Sequence, residues 1–310
     1  MTTQSNRTLW LLFIALGFMW GSSYLFIKLA VDDFGTFTLV ALRLLVGAIM
    51  LWAVVRLTRQ VLPREPRIYG HLFVMGLVNI VIPFALITWA EQSVDSSLAA
   101  ILTAPVPLFA IVIAPFFLSD EPIRVNGLVG LLVGFIGVVI LTSRDLTIGN
   151  SDLTGEIALL GAAFSYAIGA VYARRNMRGV APLIPAVFQV SFALLVAGGI
   201  ALLTEHPWDA RPDAEAVFSI LWLGILGSGL AYVAVFRLFA AWGATRTTMV
   251  AYEIPVVGIV LGYLVLAEPV DIRLLIGTAL VVGGVALVNS PYGRRRLYGR
   301  MPAAEAIEPT

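Results

Sequence analysis

Cysteine is missing from the chain altogether, and histidine occurs only as His71 and His206. The first absence removes disulfides, thiolate catalysis and sulfur-ligated metals. The second leaves too few imidazoles, too far apart, for a metal cage or a haem site, so no metal and no cofactor is expected. Charge is scarce as well. Asp, Glu, Lys and Arg make up 13% of the 310 residues, about half of the roughly 25% usual in soluble domains. A net charge of +1 lacks the basic balance of a nucleic-acid binder. No GxxxxGK[ST] phosphate loop occurs, which excludes an ATP-driven pump built from this chain alone.

Apolar residues dominate, at 59% of the chain, with a mean hydropathy of +0.93. A bilayer span takes roughly 20 residues, so ten spans use roughly 200 and leave only short loops. The apolar runs predict helices over 9–30, 36–55, 68–89, 94–118, 123–143, 154–174, 182–204, 215–237, 244–266 and 271–290. These runs are continuous, whereas the strands of a membrane β-barrel alternate in polarity. The first run continues through Tyr24, Leu25, Phe26 and Ile27, beyond a signal-peptide core, and reads as an uncleaved helix. The fold class is therefore an all-α integral membrane protein of ten transmembrane helices.

The chain also repeats itself. Glu121-Pro122 recurs as Glu268-Pro269, and Gly130 and Gly137 recur as Gly277 and Gly284, all offset by 147. Gly76 and Pro107 recur as Gly224 and Pro255, offset by 148, while Phe18, Trp20 and Lys28 match Phe164, Tyr166 and Arg174, offset by 146. The expected division is residues 1–148 as a first five-helix repeat, 149–290 as a second, and 291–310 as a basic cytoplasmic tail. Five crossings is an odd number, so the repeats are inverted, the architecture of alternating-access transporters with a central cavity between the halves.

With the N-terminus placed inside, 15 of the 20 cationic residues fall on inner segments, including Arg56 to Arg67, Arg174 to Arg178 and the tail arginines. The outer loops keep only Arg144, Arg211 and Arg273. This bias puts both termini in the cytoplasm, and the expected location is the inner membrane of a bacterial cell.

Trp20-Gly21-Ser22-Ser23 followed by Lys28 resembles the first-helix signature of the drug/metabolite transporter superfamily, EamA type. So do Leu42-Arg43-Leu44, the run Ser97-Leu98-Ala99-Ala100 leading to Pro105 and Pro107, and the Glu121 and Glu268 ends that precede glycine-spaced helices. The resemblance extends from about residue 8 to 290 and, within the superfamily, is nearest in character to bacterial aromatic amino acid exporters. It implies a basket of ten helices with helices 1, 3, 4, 6, 8 and 9 around the cavity, helices 5 and 10 at the periphery, and efflux as the direction.

The cavity helices then supply the candidate substrate contacts: Trp20, Ser23 and Tyr24; Asn79 and Phe84; Thr103; Ser165 and Tyr166; Ser228 and Tyr232; Tyr252 and Glu253. Trp20, Ser23 and Tyr24 have the spacing of one helical face. Aromatic walls with a few polar groups suit a neutral amphiphile such as an amino acid zwitterion. Glu253 reads as the one acid deep in a helix, with three possible uses: proton carrier, ligand for a substrate ammonium, or protonated donor to a carbonyl freed by Pro255. Pro105, Pro107 and Pro255 mark expected kinks or hinges. Arg43 reads as a hydrogen-bond hub or as snorkelling outward, because helix 2 lies outside the cavity set. Gly127, Gly130, Gly134 and Gly137 read as a packing face, although the Gly130–Gly134 element also fits a dimer contact.

Function at this stage is a secondary transporter exporting aromatic or other large neutral amino acids or related small metabolites, with the lipid bilayer and a small-molecule substrate as its partners. A proton-coupled exporter of drug cations or nucleosides is the alternative. A membrane enzyme is remote, since no nucleophile with a base and no metal cluster is evident at depth. The charge bias makes a first prediction: a membrane-impermeant reagent for charged side chains should label the 205–215 loop in intact cells and miss 56–67 and 174–180. Labelling of Arg175 from outside would overturn the orientation.

Overall fold

Long apolar runs bounded by Gly, Pro and charge become helices because a backbone in hydrocarbon must bond to itself. The computed structural model describes residues 6–60, 62–118, 123–146, 153–177, 180, 183–242, 247–289 and 296–298. The first half holds α1 (Asn6–Ala30), α2 (Thr36–Leu57), α3 (Pro66–Ala90), α4 (Ser96–Phe117) and α5 (Val125–Leu146). The second holds α6 (Leu153–Asn176), α7 (Leu183–Thr204), α8 (the continuous segments Ala214–Trp222, Leu223–Leu230 and Ala231–Trp242), α9 (Glu253–Leu266) and α10 (Ile272–Asn289). Among the described residues, 9 helical stretches are long and apolar enough to cross a membrane, and the apolar part of α10, Ile272–Val288, is shorter. At 1.5 Å per residue α10 reaches about 26 Å, at the short end of the spanning range. Among the described residues, the one departure from an all-helical chain is a small antiparallel pair, β1 (Ile123–Arg124) with β2 (Arg296–Tyr298), which ties the start of α5 to the tail. Glu121, Pro122 and the expected boundary near 148 lie outside the described residues.

The packing obeys a two-fold pattern. α1 lies along α9 as α6 lies along α4; α2 lies along α8 as α7 lies along α3; α3 lies along α6 as α8 lies along α1. The pairs α2–α7 and α5–α10 join each helix to its own counterpart. Exchanging the halves therefore preserves these contacts.

The interruptions are paired too. α3 passes through a π-helical turn at Leu77–Val81, and α8 through one at Leu223–Leu230. Gly76 immediately precedes the first turn, and its repeat equivalent Gly224 is the second residue of the other. α4 breaks after Leu102 and resumes at Val106, with Pro105 at the new N-cap. Its equivalent, α9, is entered through a 3-10 turn at Thr248–Tyr252, and Pro255 sits in its first turn. Such defects are confined to helices that cross the centre of the molecule, where protein rather than lipid surrounds them.

The glycine face of α5 is spent inside the chain. A Cβ on Gly130 would stand 2.5 Å from the Gly284 carbonyl oxygen, and one on Gly137 would stand 2.8 Å from that of Gly277. Gly127 and Gly134 meet Ile111 and Leu108 of α4 instead. The face packs within the chain as expected, and the Gly130–Gly134 element that also fitted a dimer contact is covered by α10 and α4. α10 also supplies an internal control, because a Cβ on Gly283 would meet nothing within 4 Å, whereas one on Gly284 would come 2.6 Å from the Gly130 carbonyl. Gly284→Ala is expected to cost about 1–3 kcal/mol and to lower the thermal midpoint in detergent, while Gly283→Ala leaves it unchanged. Equal midpoints for the two variants would remove the close α5–α10 contact as a source of stability.

Candidate functional site

Between the halves lies a cavity of about 490 Å³, within the usual range of roughly 300–1,000 Å³ for small-molecule sites. One face of α1 presents Trp20, Ser23, Tyr24 and Ile27 to it; α3 adds Asn79, Phe84 and Ile87; the break in α4 adds Thr103, Ala104, Val106 and Pro107. The second half contributes Tyr166 and Ala170 of α6, Gly227, Tyr232 and Val235 of α8, and Thr247, Val250, Ala251 and Ile254 at the entry into α9. The Thr103 hydroxyl donates to the Ala99 carbonyl at 2.9 Å, so the Tyr24 hydroxyl, 2.5 Å from Thr103 Oγ1, is the donor in the bond that ties α1 to the α4 break. Ser23 donates to its own helix at Met19, 3.0 Å away. The Asn79 amide lies directly over Gly169, where any side chain on α6 would displace it.

Other expected contacts lie off this wall. Ser165 donates to the Val78 carbonyl at 2.7 Å, serving the π turn of α3. Ser228 is fully buried against Gly47 of α2. The Tyr252 hydroxyl donates to the Val285 carbonyl of α10 at 3.0 Å. Glu253 turns its carboxyl to Gly17 on α1 and is half-buried. A helix rotates by about 100° per residue, so one or two positions decide between wall and packing. Pro107 touches the cavity; Pro105 and Pro255 shape the helices behind it. Other acids are more buried than Glu253 but sit at or beyond helix ends: Glu91 and Glu156 are fully buried and Glu268 nearly so.

Arg43 is the residue that the sequence reading placed elsewhere. It is 3% exposed, lines the cavity, and holds its guanidinium carbon 4.2 Å from the centre of the Phe84 ring. Burial excludes snorkelling. Gly227 is what admits it, since a Cβ there would lie 3.4 Å from Nη2 and 3.0 Å from Ser23 Oγ. An intramembrane arginine whose repeat equivalent, Gln189, is neutral was the available signal.

Next to Ile27 and one turn after Ile87, off the cavity wall, stands a group of charged side chains. Lys28 Nζ donates to the carbonyls of Glu91 at 2.7 Å and Val94 at 3.1 Å. Glu268 accepts from the backbone amides of Ser96 at 2.7 Å and Ser97 at 2.9 Å, capping α4 from the other half. Glu91 lies between the spans, and neither of its carboxyl oxygens has a hydrogen-bond partner among the described residues. Burial pushes its carboxyl well above the usual carboxylate range, against the pull of the Lys28 ammonium, and Glu268 adds to the push while Arg43 opposes it.

A two-fold helical basket with paired breaks around a central cavity defines a multi-pass membrane transporter. The EamA-like transporter family matches twice, over residues 8–143 and 153–290, and the chain belongs to that family. It is a transporter and not an enzyme. YoaV of Bacillus subtilis, named an uncharacterized transporter, is 26% identical over 289 residues, covering 92% of this chain and 97% of its own. YedA of Escherichia coli K12, named an uncharacterized inner membrane transporter, is 29% identical over 256 residues, covering 80% of this chain and 79% of its own. A crystal structure superposes with a TM-score of 0.64 over 91% of this chain and 96% of its own, at 22% identity, a likeness of fold alone.

The Glu91 site carries a pH prediction. A carboxyl held above its unfolded value binds more protons when folded, so stability falls as pH rises from the unfolded value toward the folded one. Between about pH 5 and pH 8 the thermal midpoint of the wild type in detergent should therefore fall more steeply than that of Glu91→Gln. Parallel slopes would remove Glu91 as the cause.

Proposed function

We propose that the protein is a secondary exporter of aromatic or other large neutral amino acids and closely related metabolites, working by alternating access from the cytoplasmic side of a bacterial inner membrane with both termini in the cytoplasm. The observation that carries this reading is the wall of the cavity: Trp20, Tyr24, Phe84, Tyr166 and Tyr232 converge on one space where the two halves meet. Aromatic faces with a few polar tips gain most from an apolar ring and a small polar end, and least from a strongly hydrated side chain. Direction rests on the superfamily resemblance and orientation on the arginine bias. A drug-cation exporter needs a carboxylate in the cavity, and Glu253 faces Gly17 instead.

Purified protein in proteoliposomes should exchange labelled phenylalanine well and lysine and aspartate poorly. Trp20→Ala and Tyr166→Ala should each weaken exchange roughly tenfold, equivalent to about 1.4 kcal/mol of lost aromatic contact, with the size-exclusion profile unchanged. Equal transport of lysine and phenylalanine would count decisively against the reading.

A further inference from the structure

We infer that Arg43 is the seat for a substrate carboxylate, and that a carboxylate on an aromatic or apolar body, rather than an α-ammonium, is what the cavity selects. This rests on the aromatic-cavity reading above and names the group that the cavity recognises.

The Arg43 guanidinium is held in the interior with a donor unused. It is 3% exposed, and its Nε has no hydrogen-bond partner among the described residues. Its fixed neighbour is the Phe84 face, 4.2 Å from Cζ, which orients a planar cation without neutralising it. Glu91 is near enough to act on it electrostatically, yet both Glu91 carboxyl oxygens are themselves without a hydrogen-bonded partner, so the two groups are not joined as a pair. A buried arginine without a bonded anion is costly, and it persists where an anion arrives in the working cycle. Its rigid fork of donors matches a carboxylate in a bidentate bond.

The cavity wall makes the match one-sided. Arg43 is the only charged residue on it among the described residues, and no Asp or Glu lines it. An incoming ammonium meets hydroxyls and one amide; an incoming carboxylate meets a full charge. The space for that charge is specific to one half. The two-fold relation carries Arg43 to Gln189, Gly227 to Asn79 and Ser23 to Gly169. In the related corner the Asn79 amide fills the room over Gly169; in the Arg43 corner Gly227 leaves that room open beside Nη2.

The test compares three probes that share a phenyl ring: 3-phenylpropionate, phenylalanine and phenethylamine. Each is assayed for thermal stabilisation of the full-length protein in detergent and for competition with phenylalanine counterflow in proteoliposomes. The two carboxylates should stabilise and compete, and phenethylamine should be weaker by at least about tenfold, as for loss of a hydrogen bond to a charged group. Arg43→Gln should abolish the preference for carboxylate and Arg43→Lys should keep part of it. The wild-type comparison decides the matter even if an Arg43 variant fails to fold. Phenethylamine equal to or better than 3-phenylpropionate, or an intact carboxylate preference in Arg43→Gln, overturns the inference and leaves the aromatic reading standing. If none of the three probes binds, the aromatic reading fails and the carboxylate seat fails with it.

Discussion

A backbone amide or carbonyl without a partner has no place in hydrocarbon, where water cannot substitute for the missing bond. The molecule breaks its helices repeatedly all the same, and one break and several helix ends are closed by a side chain from elsewhere in the fold. Ser165 of α6 bonds to the carbonyl of Val78 in the α3 π turn. Glu268 bonds to the first amides of α4, and Glu205 accepts from Phe37 and Thr38 at the start of α2. Lys28 bonds to the carbonyls that end α3 and precede α4. Three of these four links, all but that of Lys28, join one half of the chain to the other. Backbone satisfaction and assembly of the halves are thus the same set of bonds.

This accounting separates the buried charges into two kinds. Lys28, Glu205 and Glu268 spend their charge on backbone groups, as helix-end ions do, with charge-assisted bonds stronger than neutral ones. Arg43 spends its charge on no described backbone group. It rests on an aromatic face at the wall of the cavity. Glu91 stands between the kinds: its carbonyl serves Lys28, while its buried carboxyl has no hydrogen-bond partner among the described residues. Charge at a helix end is a structural investment here; charge on the wall is the exception.

The helices and the duplication were legible because run length and ordered residue offsets survive without knowledge of how the helices rotate. Trp20, Tyr24, Phe84, Tyr166 and Tyr232 could be placed together because bulky aromatic residues on central helices have few places to go. Ser165, Ser228 and Tyr252 illustrate where that reasoning stops. Each is on a central helix, and each faces a neighbouring helix within a turn of a wall residue. Depth alone misplaced Glu253, since distance along a helix does not tell which side it faces. Arg43 was misplaced for the opposite reason. Its helix is peripheral, yet a long side chain reaches past the backbone, and only the missing side chain at Gly227 makes the route visible.

That route bears on how a duplicated chain handles an asymmetric cargo. The alternating access proposed above asks the halves to be mechanically alike, and the matched π turns, the matched breaks of α4 and α9, and the exchanged helix contacts are consistent with that demand. A molecule with one polar end cannot sit symmetrically on a two-fold axis. The corner residues resolve the conflict: Asn79 and Gln189 stand where the other half has Gly227 and Arg43. Swapping a glycine and an amide across the axis leaves helix lengths and breaks untouched while giving the cavity a single charged end. Symmetry is retained in the helices and their breaks and abandoned in a few side chains around the cavity.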